Sequence, residues 1–235
     1  MKKITFLLLV VMLTGCMKQQ EITLSYSFTP NETHTYNFAL LSKILTITHE
    51  IDFKLIAATN DTLKIEAEIQ AMRWKGDGGE LEKETNEYYK NNYINIPFEF
   101  AIDTQGDILE NLSYKNSGRE EAIFDINSFF IALPKGNLKI GDSWTIERPV
   151  EDMVFDKVKT RYTLKKVTEN SVAIIEVFSD FKEDNSKRST VAFSKNLQGD
   201  YVLNTKTGLL ESAQLTISGF NGFSNISGTL SIHKK

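Results

Sequence analysis

The sequence predicts a mainly β, antiparallel protein built from two related β-units, and three observations lead to this prediction. Apolar and polar residues alternate over long stretches, as in IDFKLIAATNDTLKI at 51–65. This period of two is typical of strands that have one dry and one solvated face. The alternation breaks at Thr59-Asn60-Asp61, as it does at the tight turn of a β-hairpin. The hairpin and the segment after it both recur later in the chain.

The recurrence covers two pairs of segments. TRYTLKKVTENSVAI at 160–174 repeats the hairpin with an offset of 109 residues, and FAIDTQGDILE at 100–110 matches YVLNTKTGLLE at 201–211 with an offset of 101. The hairpin matches are Phe53 with Tyr162, Leu55 with Leu164, Ala58 with Val167, Leu63 with Val172 and Ile65 with Ile174. We therefore predict an internal duplication whose units form curved sheets or half-barrels.

The first fifteen residues predict a signal peptide. Residues 1–3 are basic at two positions, and the apolar run at 4–13 is shorter than the ~20 residues of a permanent membrane span. The run ends at Leu13-Thr14-Gly15-Cys16, which resembles a bacterial lipobox. The resemblance implies lipid attachment at Cys16, with palmitate-type acylation, and membrane association through that anchor. An ordinary secretory signal with a chance cysteine is the alternative. Met17 after the cysteine favours the outer membrane.

Composition excludes several classes of protein and site. The chain of 235 residues is 41% apolar, which suffices for a sizeable core. Removal of the leader takes away Lys2 and Lys3 and leaves 25 basic and 31 acidic residues, which argues against nucleic-acid binding. The single cysteine excludes an intrachain disulfide and a multi-cysteine zinc site. No metal and no cofactor are predicted.

The first part of the mature chain divides into a tether and the first β-unit. Residues 16–31 are mostly polar and predict a lipidated tether. Residues 32–116 predict the first unit, with alternating strands and a polar segment at 75–92 that carries four glutamates. We predict a long solvated loop for this segment, because a divalent-ion loop would need a ligand spacing that it lacks.

Residues 117–143 predict a bridging helix and a linker. Ser117-Gly118-Arg119-Glu120 has the form of a capping box, and Pro134 ends the helix. The helix shows an apolar stripe at helical spacing, which includes Ile123, Ile126, Phe129 and Phe130. We expect this face to cover the core of the sheet; a lid over a lipid-sized cavity is the alternative.

The linker carries the one family resemblance. Leu133-Pro134, followed by Ile140-Gly141-Asp142-Ser143-Trp144, resembles the LP and GDSW motifs of an uncharacterised family of Bacteroidota-type envelope lipoproteins, a domain of unknown function. The resemblance implies an envelope location and a β-rich fold, and it implies no catalytic residue. Read by itself, Gly141-Asp142 predicts a turn before a strand led by Trp144, which opens the second unit at 144–235.

The sequence contains no cluster that indicates catalysis, and we predict a protein that is not an enzyme. His34, His49 and His233 are far apart and form no metal motif. His49 falls on the dry side of its strand, where a buried neutral histidine is expected and a general base is the alternative. Asp61-Thr62-Leu63 resembles a Bacteroidota O-glycosylation acceptor, but a hairpin tip explains the same residues.

Two functions follow from the sequence. The first is a non-enzymatic envelope module that binds a protein or a glycan, or that builds surface structure. The second is a carrier of an apolar ligand, a lipid or a lipoprotein, because long amphipathic strands and 15 phenylalanines can enclose a cavity. An enzyme that depends on His49 is a third hypothesis.

Overall fold

The computed structural model describes residues 21–59, 61–76, 78–114, 125–149, 155–183, 194–220 and 224–235. Within these ranges the chain forms thirteen strands, one α-helix and one short 3-10 helix. All pairings between the named strands in these ranges are antiparallel. The prediction of a mainly β, antiparallel fold is therefore confirmed.

The elements follow one another along the chain with few long connections. Those of the first half are β1 (Ile22–Thr23), β2 (Thr33–Ser42), β3 (Thr46–Ala58), β4 (Thr62–Lys75), α1 (Glu80–Asn92), β5 (Phe98–Asp103) and β6 (Ile108–Tyr114). Those of the second half are the 3-10 helix (Ile126–Ser128), β7 (Asn137–Leu138), β8 (Ser143–Pro149), β9 (Phe155–Val167), β10 (Val172–Glu183), β11 (Ser194–Asn204), β12 (Leu210–Phe220) and β13 (Asn225–Lys234).

Eleven strands form one sheet, and β1 and β7 form a separate two-stranded ladder. The order in the large sheet is β6-β5-β4-β3-β2-β13-β12-β11-β10-β9-β8. The two predicted units are thus continuous, because β13 at the end of the chain pairs with β2 at its beginning. The β3–β4, β5–β6, β9–β10 and β11–β12 turns lie at one end of the sheet, which we call the turn end. The other end is the far end.

One face of the large sheet is buried along most strands, and we call it the covered face. On β3 the side chains of His49, Ile51, Phe53 and Leu55 are buried, while the residues between them are half-buried. The same alternation runs along β4 and β9. A period of two therefore assigned the faces of these strands correctly, because neighbouring side chains of a strand point to opposite faces.

The two hairpins that the sequence matched are similar in detail. Strands β3 and β9 both have 13 residues and are related by the predicted offset. Each contains a β-bulge at the equivalent position: Ile56 is skipped in the pairing of β3 with β4, and Lys165 in the pairing of β9 with β10. These shared features are consistent with the predicted duplication, since bulges are fixed features of a strand.

Two of the five predicted hairpin matches are wrong by one residue. Three residues connect β3 to β4, whereas four connect β9 to β10. The extra turn residue shifts β10, so Ala173 and Ile175 are buried where Leu63 and Ile65 are buried in the first unit. Val172 and Ile174 are only half-buried on the other face.

The solvated loop predicted at 75–92 is wrong, because this segment contains the helix α1. The helix begins with Glu80 and Glu82 and has Lys90 in its last turn, which suits the helix dipole. It lies beside β4, where the Asn86 side chain accepts a hydrogen bond from Trp74 N at 2.8 Å and donates one to Trp74 O at 2.7 Å. The Asn86 side chain thus bonds to backbone groups of β4 in a part of the strand that does not pair with β5.

The bridging helix is also wrong where the structure describes it. Residues 126–128 form a single 3-10 turn, which Asp125 caps by accepting a hydrogen bond from Asn127 N at 2.9 Å, and residues 129–133 are irregular. The predicted capping box at 117–120 lies outside the described residues. In the ranges that the structure describes, no helix has both the length and the apolar character needed to cross a bilayer.

Candidate functional site

Two segments of the chain lie on the covered face and form the candidate site with it. The first, which we call the strap, comprises residues 24–28. Leu24, Tyr26 and Phe28 alternate into the core with exposures of 1%, 2% and 7%. The prediction of a tether that extends to residue 31 is therefore wrong for the strap. Ile22, Leu24, Tyr26 and Phe28 already show the period of two, but the run is short and polar residues surround it.

Backbone hydrogen bonds attach the strap to both units. Tyr26 N donates to Thr104 O and Ser27 N donates to Thr207 O, both at 2.8 Å. Thr104 lies in the β5–β6 turn and Thr207 in the β11–β12 turn, which the sequence matched to each other. The strap thus connects equivalent turns of the two units at the turn end.

The second segment, residues 126–133, is called the plug because its side chains fill the covered face of the first unit. Ile126, Phe129 and Phe130 are buried, with exposures of 6%, 2% and 3%, and Ile123 lies outside the described residues. The rings of Phe129 and Phe130 have centroids 5.1 and 5.3 Å from that of Phe53. Further ring contacts of the plug are with Tyr26, Phe28, Tyr36, Phe38 and Phe100.

The strap and the plug also contact each other. The Tyr26 hydroxyl donates to Ile131 O at 3.0 Å, and Leu133 N donates to Gln105 O at 2.7 Å. Burial raises the pKa of Tyr26 far above its ordinary value, so the hydroxyl remains a donor. Together these bonds satisfy polar groups of the two irregular segments that would otherwise be buried without partners.

The GDSW motif positions the edge strand β8 against the plug. Asp142 accepts a hydrogen bond from Lys139 N at 2.8 Å, and this turn leads directly into β8. The Trp144 ring stacks on Tyr162, and its Nε1 donates to Ala132 O at 2.8 Å. Ser143 Oγ lies 2.8 Å from the hydroxyl of Thr163, which is no base. The motif therefore has a structural explanation, as the sequence indicated.

Arg148 connects the β8 edge of the sheet to the β5–β6 turn and to the plug. Its guanidinium lies 3.1 Å from Asp107 Oδ1 and also donates to Asn127 Oδ1. Asp107 is 60% exposed, so this ion pair contributes at most ~1 kcal/mol. The contact nevertheless shows that the plug lies between elements from both edges of the sheet.

Tyrosines replace phenylalanines on the covered face of the second unit. Tyr162 and Tyr201 occupy the positions that Phe53 and Phe100 occupy in the first unit. Burial raises the pKa of Tyr162 to about 12 and raises the pKa of Tyr201 well above its ordinary value. Both rings are therefore neutral at physiological pH, and they add hydroxyl groups to an otherwise apolar surface.

The covered face is less completely covered toward the far end. Its side chains there are apolar but only half-buried, namely Leu40, Ile47, Met72, Trp74, Leu197 and Ile217. We call this surface the open end. Next to this surface, an open cleft of about 350 Å³ is lined by residues 37–39 of β2, 48–50 of β3 and 71–73 of β4.

His49 lies between the filled part of the covered face and the open end. Its ring packs 5.3 Å from that of Phe38, and burial lowers its pKa to about 4. A base with this pKa accepts protons poorly at neutral pH, which does not favour the general-base hypothesis. His34 is also buried, and burial lowers its pKa. His233 is exposed at the other face.

The low pKa of His49 predicts a stability that depends on pH. The unfolded chain binds a proton near pH 6.5 and the folded chain only near pH 4, so stability is greatest above 6.5 and falls as the pH decreases toward 4. At pH 5 we expect the His49 contribution to have lost about 2 kcal/mol. Urea unfolding at pH 7.5 and 5 should show a smaller loss in His49→Leu than in the wild type. His233→Leu is the control. A loss of stability in His49→Leu as large as that in the wild type would contradict the assignment.

The remaining candidate residues show no reactive arrangement in the described ranges. Thr62 begins β4 at the hairpin turn, and its amide donates to Thr59 Oγ1 at 3.2 Å. Among the described residues no three His, Cys, Asp or Glu side chains converge on a possible metal site. Cys16 lies outside the described residues.

Comparison with known proteins gives a match to a family model over the central part of the chain. A model described as a family of unknown function (DUF6263) matches residues 103–210. This region runs from the last residue of β5 to the first of β12 and includes the plug and the GDSW motif. No curated protein matches the chain. The match is consistent with an uncharacterised family, and the similarity covers the centre of the chain.

Proposed function

We propose that this protein is a lipid-anchored cell-envelope protein of the outer membrane, with a non-enzymatic binding or structural role. Its partner would be an envelope protein or a glycan. The resemblance of Leu13-Thr14-Gly15-Cys16 to a lipobox supports the anchor, and the LP and GDSW motifs support the envelope lipoprotein type.

The filling of the covered face is the observation that carries the non-enzymatic role. Phe129 and Phe130 pack on Phe53 where a ligand or substrate would otherwise contact the sheet. Ser143 bonds a threonine hydroxyl, and burial is what lowers the pKa of His49. These contacts serve packing, which suits a body that presents its outer surface to a partner.

Acylation of Cys16 can be tested in bacterial cells that are fed an alkyne-labelled palmitate. We expect the wild-type protein to incorporate the label and to sediment with membranes, because several acyl chains bind a bilayer stably. The matched variant Cys16→Ser should carry no label. Equal labelling of both proteins, or none of the wild type, would overturn the proposed anchor.

The open end favours a second candidate, a carrier of an apolar ligand. Leu40, Met72, Leu197 and Ile217 are half-buried and contact the core, so an acyl chain could extend the core toward the far end. A carrier should retain lipid that organic extraction and mass spectrometry detect, and it should take up a fluorescent fatty acid. Leu197→Asp should abolish this uptake, whereas Phe178→Asp on the other face should not. If the purified protein carries no lipid and takes up no fluorescent fatty acid, the carrier function is excluded and the envelope module remains the proposed function.

A further inference from the structure

The chain enters the folded body at the turn end. Ile22 in β1 pairs with Leu138 in β7, and Lys139 Nζ lies 3.2 Å from the carboxylate of Glu21. The strap then runs along the turn end, bonded to Thr104 and Thr207. The beginning of the body is therefore fixed to one end of the sheet.

The connection from Cys16 to this point is short. Glu21 follows Cys16 by five residues, so their Cα atoms can be at most ~18 Å apart in a fully extended chain. The 13 residues of β3 extend over ~43 Å from one end of the sheet to the other. If Cys16 is acylated, as the proposed function requires, the turn end must stay near the lipid headgroups.

The turn end has exposed apolar side chains beside the entry point. Ile140 is 41% exposed and follows β7, the partner of β1, while Leu109 at the start of β6 is 52% exposed. Lys135, in the connection from the plug to β7, is exposed and basic. Apolar groups together with lysine suit the interface of a membrane that contains anionic lipid.

The far end offers the competing orientation. Ile44, in the β2–β3 turn, is 82% exposed, and Leu41, near the end of β2, is 44% exposed. Contact of Ile44 with the same bilayer would require the body to lie along the membrane. The short connection and the position of Ile140 both favour an upright body instead.

We propose that the turn end rests on the lipid bilayer, with Ile140 and Leu109 at the headgroup level, so that the far end and Ile44 point away from the membrane. This inference rests on the proposed acylation of Cys16. It assigns the membrane-facing surface to the turn end and leaves the open end accessible to partners in the aqueous space.

The orientation can be measured on the full-length lipidated protein in phosphatidylethanolamine–phosphatidylglycerol vesicles. Acylation occupies the Cys16 sulfur, so Ile140→Cys or Ile44→Cys supplies the single free thiol for an environment-sensitive fluorophore. We expect lipids spin-labelled near the headgroup to quench the label at position 140 at least threefold more than the label at position 44. The Cys16→Ser form of each variant should lose the difference.

The outcomes separate the orientation from the anchor. Mass spectrometry of the purified protein first determines whether Cys16 carries acyl chains, and an unmodified Cys16 overturns both proposals. An acylated protein in which the label at position 44 is quenched as strongly as that at position 140, or more strongly, overturns the orientation alone. Leu109→Cys provides an independent second position at the turn end and should behave as Ile140→Cys does.

Discussion

Replacement of Phe130 by alanine is expected to lower the free energy of unfolding by about 4 kcal/mol, because the truncation leaves a cavity in the centre of the plug. Phe130 is 3% exposed and contacts the rings of Tyr26, Phe53 and Phe100. The loss includes both the transfer of the ring to water and the contacts that its neighbours lose. Urea unfolding followed by tryptophan fluorescence and by far-ultraviolet circular dichroism measures it.

Phe178→Ala is the matched control for this prediction. Phe178 lies on β10 but is 39% exposed on the face opposite the plug, so its loss should change the stability by less than about 1 kcal/mol. Equal destabilisation by the two substitutions would show that the plug is not part of the core. A folded Phe130→Ala protein that gains fatty-acid binding would instead support the carrier function, with a ligand in place of the ring.

Replacement of Gly106 by alanine is the second prediction with a large effect, about 4 kcal/mol. Gly106 has φ +88°, a conformation that costs other residues about 1–3 kcal/mol. A Cβ atom there would lie 2.6 Å from Ile131 O of the plug and 2.6 Å from the Tyr26 ring of the strap. Relief of these contacts moves the plug or the strap, and overpacking of this kind costs about 1–3 kcal/mol more.

Gly136→Ala separates the cost of the backbone conformation from the cost of the steric contacts. Gly136 has a similar φ of +95°, but an added Cβ atom would meet nothing within 4 Å. We therefore expect about 1 kcal/mol of destabilisation from backbone conformation alone. The difference between the two alanine variants, measured as above, reports the contact of the β5–β6 turn with the strap and the plug. Equal effects would contradict that contact.

The alternation of apolar residues predicted the strands of the sheet because burial on one face is a local property of a strand. Ile51, Phe53 and Leu55 are buried in the pattern that the sequence gives, and so are Leu230 and Ile232 on β13. The pairing of β13 with β2 had no comparable signal. Periodicity assigns a face to each strand, but it carries no information on which distant strand becomes the neighbour.

The two helix errors have opposite physical causes. The plug has apolar residues at helical spacing, yet residues 129–133 are all buried because the segment lies between the sheet and the strap. An apolar run that is buried on all sides cannot be assigned to a helix by periodicity. Helix α1 has no buried residue, and a tertiary contact of Asn86 with β4 helps to hold it in place. No hydrophobic stripe could have indicated that contact.

The candidate site was predictable in part. The sequence singled out Phe129 and Phe130 as a covering surface, and they do lie against the sheet. It did not indicate Tyr26 or Arg148, whose roles depend on partners 105 and 41 residues away, Ile131 and Asp107. Contacts over such distances in the chain need the three-dimensional fold.

The location of β13 between β2 and β12 has a consequence for biosynthesis. Leu230 pairs with Leu40 on one side and with Leu215 on the other, so β13, which follows the other described strands in the sequence, completes the middle of the sheet. Until residues 225–234 have been synthesised, β2 and β12 present unpaired backbone to other chains, which invites aggregation. Productive folding of this protein therefore depends on protecting two half-sheets until β13 is available to join them.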